Sequence, residues 1–324
     1  MKISRLLLAC LIAATGSAAM AAKFNLKMGH AVNATDGQHA AALKLAELVK
    51  QRTNGDVEIT VFPSNQLGND GAMINGVRGG TIDIVSSGAS NYNGLVANTA
   101  AMELPFVFRN AQHAYHVLDG DIGTGVLNEL APHNMKGLAY WENGWRAFTN
   151  NKRPVNKPED LKGLKIRSTP NPYHIQAFKL LGMNPSPMPI AELYTALESG
   201  AFDAQEHPIN VTWSSKFYEV QKYLTVSNHV YSPIIVAMNK AKFDSLPANY
   251  QKIMVDAARE AATYQRNLNA QNAGKVVADL KKSGMQVIEN VDMAPFQKIV
   301  SAEIAKSFGE KNGTALLNAI EATK

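Results

Sequence analysis

A chain of 324 residues with one cysteine and a formal charge of +5 is long enough to bury its own core, and its length suits two domains. Its lysines are spread along the sequence, which excludes the concentrated basic stripe that nucleic acid binding demands, while the modest positive balance suits an anionic small-molecule partner. Cys10 lies in a segment expected to be removed, so cysteine nucleophiles, CxxC redox chemistry and thiolate metal sites are excluded as well.

Residues 1–21 read as a secretory signal peptide. Lys2 and Arg5 precede an apolar run from Leu6 to Ala14, and Ala19-Met20-Ala21 offers small residues for signal peptidase. The run is shorter than the roughly 20 residues that span a bilayer, and nothing later reaches that length. The expected product starts near Ala22 and is soluble in the periplasm. Leu7-Leu8-Ala9-Cys10 faintly resembles a lipoprotein box, but the positive segment before it is very short, which favours plain cleavage.

Beyond that point short strand-like runs alternate with helical ones. Phe24 to Met28 reads as a strand, Gln38 to Gln51 as an Ala/Leu-rich helix, and Val57, Ile59 and Val61 alternate with polar residues as a strand does. A helix over Ala72 to Val77 and the apolar run Ile82 to Val85 complete a βαβαβ series, which implies a mostly parallel sheet covered by helices. Trp141-Glu142-Asn143-Gly144-Trp145-Arg146 reads as a polar, glycine-containing turn bracketed by aromatics, just before a domain crossing. After a loop rich in Asn, Lys and Pro, from Asn150 to Pro158, a second series begins. It comprises Leu164 to Arg167, a helix over Tyr173 to Leu181, the extended Met183 to Met188, and a helix over Ala191 to Ser199. Strands follow over Tyr223 to Asn228 and Ile234 to Met238. Ala248 to Lys282 is then predicted as one helix, roughly 50 Å long, which exceeds one small domain and should run across both. The tail from Ala294 to Ala322 is again helical. The fold class is therefore α/β, with two similar units and a crevice between them.

Local signatures of catalysis are missing: there is no GxSxG elbow, no GxxxxGK[ST] loop, no HExxH, and no GxGxxG after a strand. His113 and His116, three apart on a helix, lack a third nearby metal ligand and read as surface histidines. Asp119 and Asp121 read as a turn and cap around Gly120. No metal or cofactor is expected. Arg167 ends a strand of a parallel sheet, where ligands gather, and its planar fork suits a carboxylate. Pairing with a local Asp or Glu remains open for it. Arg146 closes the Trp-bracketed segment, whose mixture resembles a site lining, with core packing of Trp141 and Trp145 as the alternative. His207, at a strand end before Pro208, can donate a hydrogen bond to a hydroxyl or carboxylate, and Asn210 lies three residues on.

Four segments in order carry a family resemblance: Phe62-Pro63-Ser64-Asn65-Gln66-Leu67-Gly68, Leu161 to Arg167, Asp203-Ala204-Gln205-Glu206-His207-Pro208, and Lys216 to Lys222. Together they resemble the solute-binding subunits of TRAP (tripartite ATP-independent periplasmic) transporters, over essentially the whole mature chain. That resemblance implies a two-domain clamshell with a long helix bridging both halves. The implied division is residues 22–145 mainly in domain I, with later segments returning to it, 146–238 mainly in domain II, and 239–324 as the bridging long helix and C-terminal helices packing on both domains. It also implies a ligand carboxylate held by Arg167 and assisted by Arg146. His30, Ser87 and Asn91 lie on loops that face the cleft by the family's layout and become candidates for ligand hydroxyls, with capping or turn roles equally open. His207 stands where many sialic-acid-type members carry asparagine. The pairing of Trp-Glu-Asn-Gly-Trp-Arg with Gln-Glu-His-Pro-Ile-Asn is closest to the sugar-acid branch, in particular the type that binds 2,3-diketo-L-gulonate. The implied partners are a small sugar acid or hydroxycarboxylate and a membrane permease, with C4 dicarboxylates or aromatic acids as the alternative ligands. No covalent chemistry is expected, and a periplasmic enzyme acting on sugar acids through His207 and Glu206 is the rival reading. Adjacent residues on a strand point to opposite faces, which argues against it.

Overall fold

The computed structural model describes residues 22–324, so the signal-peptide segment and Cys10 lie outside the described residues. The first three strands are β1 (Phe24–His30), β2 (Val57–Phe62) and β3 (Ile84–Gly88). They are parallel and are joined by helices α1 (Gly37–Arg52) and α2 (Asp70–Gly79). Each helix starts where the sequence offers a short polar acceptor. The Asp36 carboxylate accepts the amide of Gln38, and the Asn69 side chain accepts that of Ala72. Helices α3 (Ala111–Asp119) and α4 (Asp121–Asn128) follow, separated by Gly120, so Asp119 ends one helix and Asp121 starts the next, but neither side chain caps α4, whose N-cap is Gly120 itself.

The longest strand, β4 (Met135–Asn150), runs through the segment expected to turn. Gly144 adopts φ +121°, yet the chain does not reverse. The positive φ serves a β-bulge between Glu142 and Gly144 instead. Aromatic and β-favouring residues on both sides keep the strand going, and a single glycine absorbs the extra residue.

The second lobe contains β5 (Lys165–Ser168), α5 (Pro172–Leu180), β6 (Asn184–Pro187), α6 (Ile190–Glu198), β7 (Ala204–Pro208), α7 (Ile209–Ser214) and β8 (Tyr223–Thr225). The chain then returns as β9 (Tyr231–Asn239), which lies antiparallel between β3 and β4. The expected second-domain segment therefore gives up its last strand to the first lobe. The strand order is β2-β1-β3-β9-β4-β7-β5-β6, with β8 paired to the end of β4 and β10 (Gln286–Ile288) paired to β8. Residues Met135 to Trp145 of β4 pair with β9, while Arg146 to Asn150 pair with β7. One strand thus belongs to both lobes, and the change of partner falls at Arg146.

All nine residues of β9 are buried. Ile234, Val236 and Met238 face a core shared with α1, whereas Ile235 and Ala237 face the core under α2 and α3, as expected for a strand covered on both sides. After the short α8 (Lys240–Asp244) comes α9 (Ala248–Lys282), with the bounds predicted from sequence. Its N-terminal half packs Met254, Ala257, Ala258 and Ala261 against Leu45, Leu48 and Val49 of α1. Its far end buries Leu280 with Leu224 and Met285 of the second lobe. Trp141 Nε1 donates to the Ala258 carbonyl at 2.9 Å and the Glu142 amide donates to Gln265 Oε1 at 2.9 Å, so the long helix is fastened to β4 as well. The tail forms two helices, α10 (Ala294–Asn312) and α11 (Ala315–Ala322), rather than one, because Gly313 takes φ +78° between them. No helix of the described residues is long and apolar enough to cross a membrane.

Candidate functional site

Where β4 changes partner, strand ends from both lobes meet around a cavity. Arg146, Arg167 and His207 approach it from the second-lobe side, while Ser87, Asn91 and Asp70 approach it from the first. Five of the seven residues singled out from sequence line this cavity: Arg146, Arg167, His207, Ser87 and Asn91. His30 and Asn210 are not among its lining residues. His30 is fully buried, and its Nε2 lies 3.0 Å from Nδ1 of His39 on α1, so its ring is engaged behind the strand end. Asn210 lines a separate groove along α1, α7 and α9, which also includes His39.

The two arginines are in opposite electrostatic situations. Arg146 makes a two-pronged ion pair with Glu206, through Nε to Oε2 and through Nη2 to Oε1 at 2.8 Å, and both side chains are buried. Burial works against each charge, but the partner's charge outweighs it. Arg146 is held above the ordinary arginine value, and Glu206 well below the ordinary carboxylate range. Arg146 is thus already neutralised.

Arg167 has no such partner. Its Nε donates to the Met188 carbonyl at 2.8 Å and its Nη1 faces His207 Nε2 at 3.4 Å. Among the described residues no carboxylate forms an ion pair with it, so the local Asp or Glu left open by the sequence is absent from its contacts. Burial, with Arg146 adding repulsion, pushes its pKa down to about 10, which still leaves the guanidinium charged at neutral pH. A buried cation of this kind, with a face toward a cavity, has the electrostatics that suit an anion.

Across the cavity Ser87 donates to Asp70 Oδ1 at 2.6 Å, and Asn91 Nδ2 donates to Ser87 Oγ at 2.9 Å. Burial raises the Asp70 pKa, opposed by Ser87 and the field of Arg167. At the floor Glu103 accepts the hydroxyls of Ser90 and Ser232, and Ser232 Oγ lies 3.4 Å from Arg146 Nη1. Asp70, Glu103 and Ser232 were not singled out from sequence. Asp70 could have been, since it lies two residues beyond the Phe62-to-Gly68 segment and opens α2; Glu103 has no local signal, because only folding brings it beneath Arg146.

Glu206 and His207 point to opposite faces of β7, and both are engaged elsewhere. Glu206 is paired with Arg146, and burial together with the two arginines pushes the His207 pKa well below the ordinary value. His113 is buried rather than on the surface, with its Nε2 2.8 Å from the Ile320 carbonyl. Among the described residues no group of three or more His, Cys, Asp or Glu could hold a metal ion.

Residues 28–311 match the family described as bacterial extracellular solute-binding protein, family 7 (DctP). The chain is 45% identical to the 2,3-diketo-L-gulonate-binding periplasmic protein YiaO of Escherichia coli over 96% of this chain and 95% of that one. A TRAP periplasmic solute-binding protein from Polaromonas, solved with D-erythronate, superposes with a TM-score of 0.90 at 36% identity, covering 93% of this chain and 99% of that one. The sugar acid binding protein DctPAm of Advenella mimigardefordensis, solved with galactonate, gives a TM-score of 0.88 at 31% identity, covering 94% and 100%.

Proposed function

The chain belongs to family 7 of the bacterial extracellular solute-binding proteins, the solute receptors of TRAP transporters, and on that premise we propose that it captures a small sugar acid in the periplasm and delivers it to a membrane permease. The observation that carries the ligand class is the buried, unpaired charge of Arg167. One Nη1–H and both Nη2–H groups remain after its contacts to Met188 and His207, enough for a two-pronged bond to a carboxylate. Arg146 lines the same cavity but is held by Glu206 and is not free itself. Asp70, Ser87 and Asn91 face the same cavity from the other lobe and supply acceptors and donors for hydroxyls. The ligands named for the relatives, diketogulonate, D-erythronate and galactonate, share a carboxylate followed by an oxygenated carbon chain, which fits that division.

In this reading the lobes close as units about β4 and α9, the carboxylate binds the second lobe, and the hydroxyls complete the closed state from the first. The permease recognises the closed form and holds the driving ion gradient. Residues 1–21 direct export and are cleaved from the mature receptor. The receptor makes and breaks no bond, since Glu206 and His207 are committed to holding the arginines. The test is a thermal-shift screen on protein unfolded and refolded to strip carried-over ligand, against aldonates, uronates, keto-gulonates, C4 dicarboxylates and aromatic acids. Selective stabilisation by a sugar acid supports the reading. Stabilisation by dicarboxylates or aromatic acids alone would replace the ligand class while leaving the receptor role.

A further inference from the structure

Two side-chain networks run on opposite faces of β7. Glu206 faces Phe148 and reaches Arg146 on one side; Gln205 and His207 share the other with Thr149, the register partner of Gln205. The second network can be given a direction, because it starts at a group that only donates. Arg167 has no acceptor atom, so the His207 Nε2 beside its Nη1 must present a lone pair. Arg167 on β5 and Arg146 on β4 face the ring, opposed by Glu206 on its own strand, and burial keeps it neutral. A neutral ring with a bare Nε2 carries its proton on Nδ1, which donates to Gln205 Oε1 at 2.5 Å. That commits the other end of the amide, and Gln205 Nε2 donates to Thr149 Oγ1 at 2.8 Å. The Thr149 hydroxyl then donates to Gln221 Oε1 at 2.8 Å, and Gln221 Nε2 donates to the Val220 carbonyl at 3.0 Å. Thr149, Gln205 and Gln221 are all buried, and none lines the cavity.

We propose that Gln205, Thr149 and Gln221 are positioning residues for anion binding: they hold His207 in its Nδ1–H tautomer, and His207 in turn holds the Arg167 guanidinium with its remaining donors toward the ligand. The inference rests on Arg167 as the carboxylate anchor. With the opposite tautomer an Nε2–H would meet an Nη1–H, and the guanidinium would lose one of its two fixed points. The relay explains why β7, where apolar or β-favouring residues would suffice, carries a buried Gln across from the buried Thr149 of β4, since an amide there has to satisfy every donor and acceptor it hides.

Long-range 1H–15N spectra of the histidine side chains test the relay in the full mature chain, with His207 assigned by loss of its signals in His207→Gln. The native chain is expected to show the Nδ1–H tautomer alone. Thr149→Val, nearly isosteric, and Gln205→Leu are expected to show a mixture or the Nε2–H form, whereas Thr149→Ser keeps the hydroxyl and the native signals. In calorimetric titrations with D-galactonate and D-erythronate, Thr149→Val is expected to bind about tenfold more weakly, with Thr149→Ser restoring most of the affinity. An Nε2–H tautomer in the native chain overturns the proposal, as do unchanged spectra in both disrupting variants or a changed tautomer with unchanged affinity. Failure of the native chain to bind either sugar acid would count instead against Arg167 as the anchor for that class, and the tautomer spectra would still decide the relay.

Discussion

Arg146 and Arg167 are both buried, but they are expected to fail differently when removed. Arg167→Ala takes away the charge that a ligand carboxylate needs, at a cost of about 3 to 5 kcal/mol in binding, and leaves the fold nearly intact because no carboxylate is directly ion-paired with it and only the field on Asp70 is lost. Calorimetry should find binding abolished at ordinary concentrations while the unfolding midpoint barely moves. Arg167→Lys should recover little, since a point charge cannot replace the fork that spans Met188, His207 and the ligand. Arg146→Ala leaves Glu206 buried beside His229 without its guanidinium, and should cost about 3 to 5 kcal/mol in folding stability, read from urea unfolding. Removing both charges, as in Arg146→Met with Glu206→Gln, should restore part of that loss. A stable Arg146→Ala would show that the ion pair is not the structural element its geometry indicates.

At the scale of elements, closure depends on what α1 and α7 exchange across the cleft. Ser214, the last residue of α7, donates its hydroxyl to Asp36 Oδ2 at 2.8 Å, and Asn33 Nδ2 donates to the Ser214 carbonyl at 2.7 Å. Asp36 also caps α1 and is buried, which raises its pKa. These bonds join the first lobe to the second without passing through the ligand site. Ser214→Ala should shift the population toward the open form and weaken ligand affinity by about 1 kcal/mol, with no change at Arg167. Small-angle scattering of the ligand-free variant should show a larger radius of gyration than the native chain; identical curves would mean that the contact does not bias closure.

Stability of the whole molecule should depend on pH through its buried histidines. Burial lowers the pKa of His30 to about 4, and lowers those of His174, His207 and His229 as well. Each has a folded-state pKa below the unfolded value of 6.5, so the unfolded chain binds more protons as pH falls. The stability these rings contribute is complete above about pH 6.5 and is lost as pH drops toward 4, at up to about 1.4 kcal/mol per pH unit for each ring. Glu206 adds a further loss below the ordinary carboxylate range, while the raised Asp36 and Asp70 act in the opposite sense. Urea midpoints should therefore fall between pH 7 and pH 5, and a flat profile would contradict this account.

The sequence by itself determined the alternation of strands and helices, the full extent of α9, the α/β class, and Arg167 at a strand end, because each of these is written in local periodicity or in position along one element. Hydrophobic spacing survives folding unchanged, so Ala248–Lys282 could be bounded without a structure. Local pattern also misled where tertiary pairing took over. Gly144 looked like a turn and became a bulge, because β9 and β7 hold the strand straight on either side of it. Tyr231–Asn239 follows the second lobe in sequence but completes the first, since a sheet takes its strands by pairing and not by order. Which arginine is free was also undecidable from the chain alone. Arg146 and Glu206 are 60 residues apart, and only their meeting across β4 and β7 neutralises one cation and leaves Arg167 as the charge that faces the cavity.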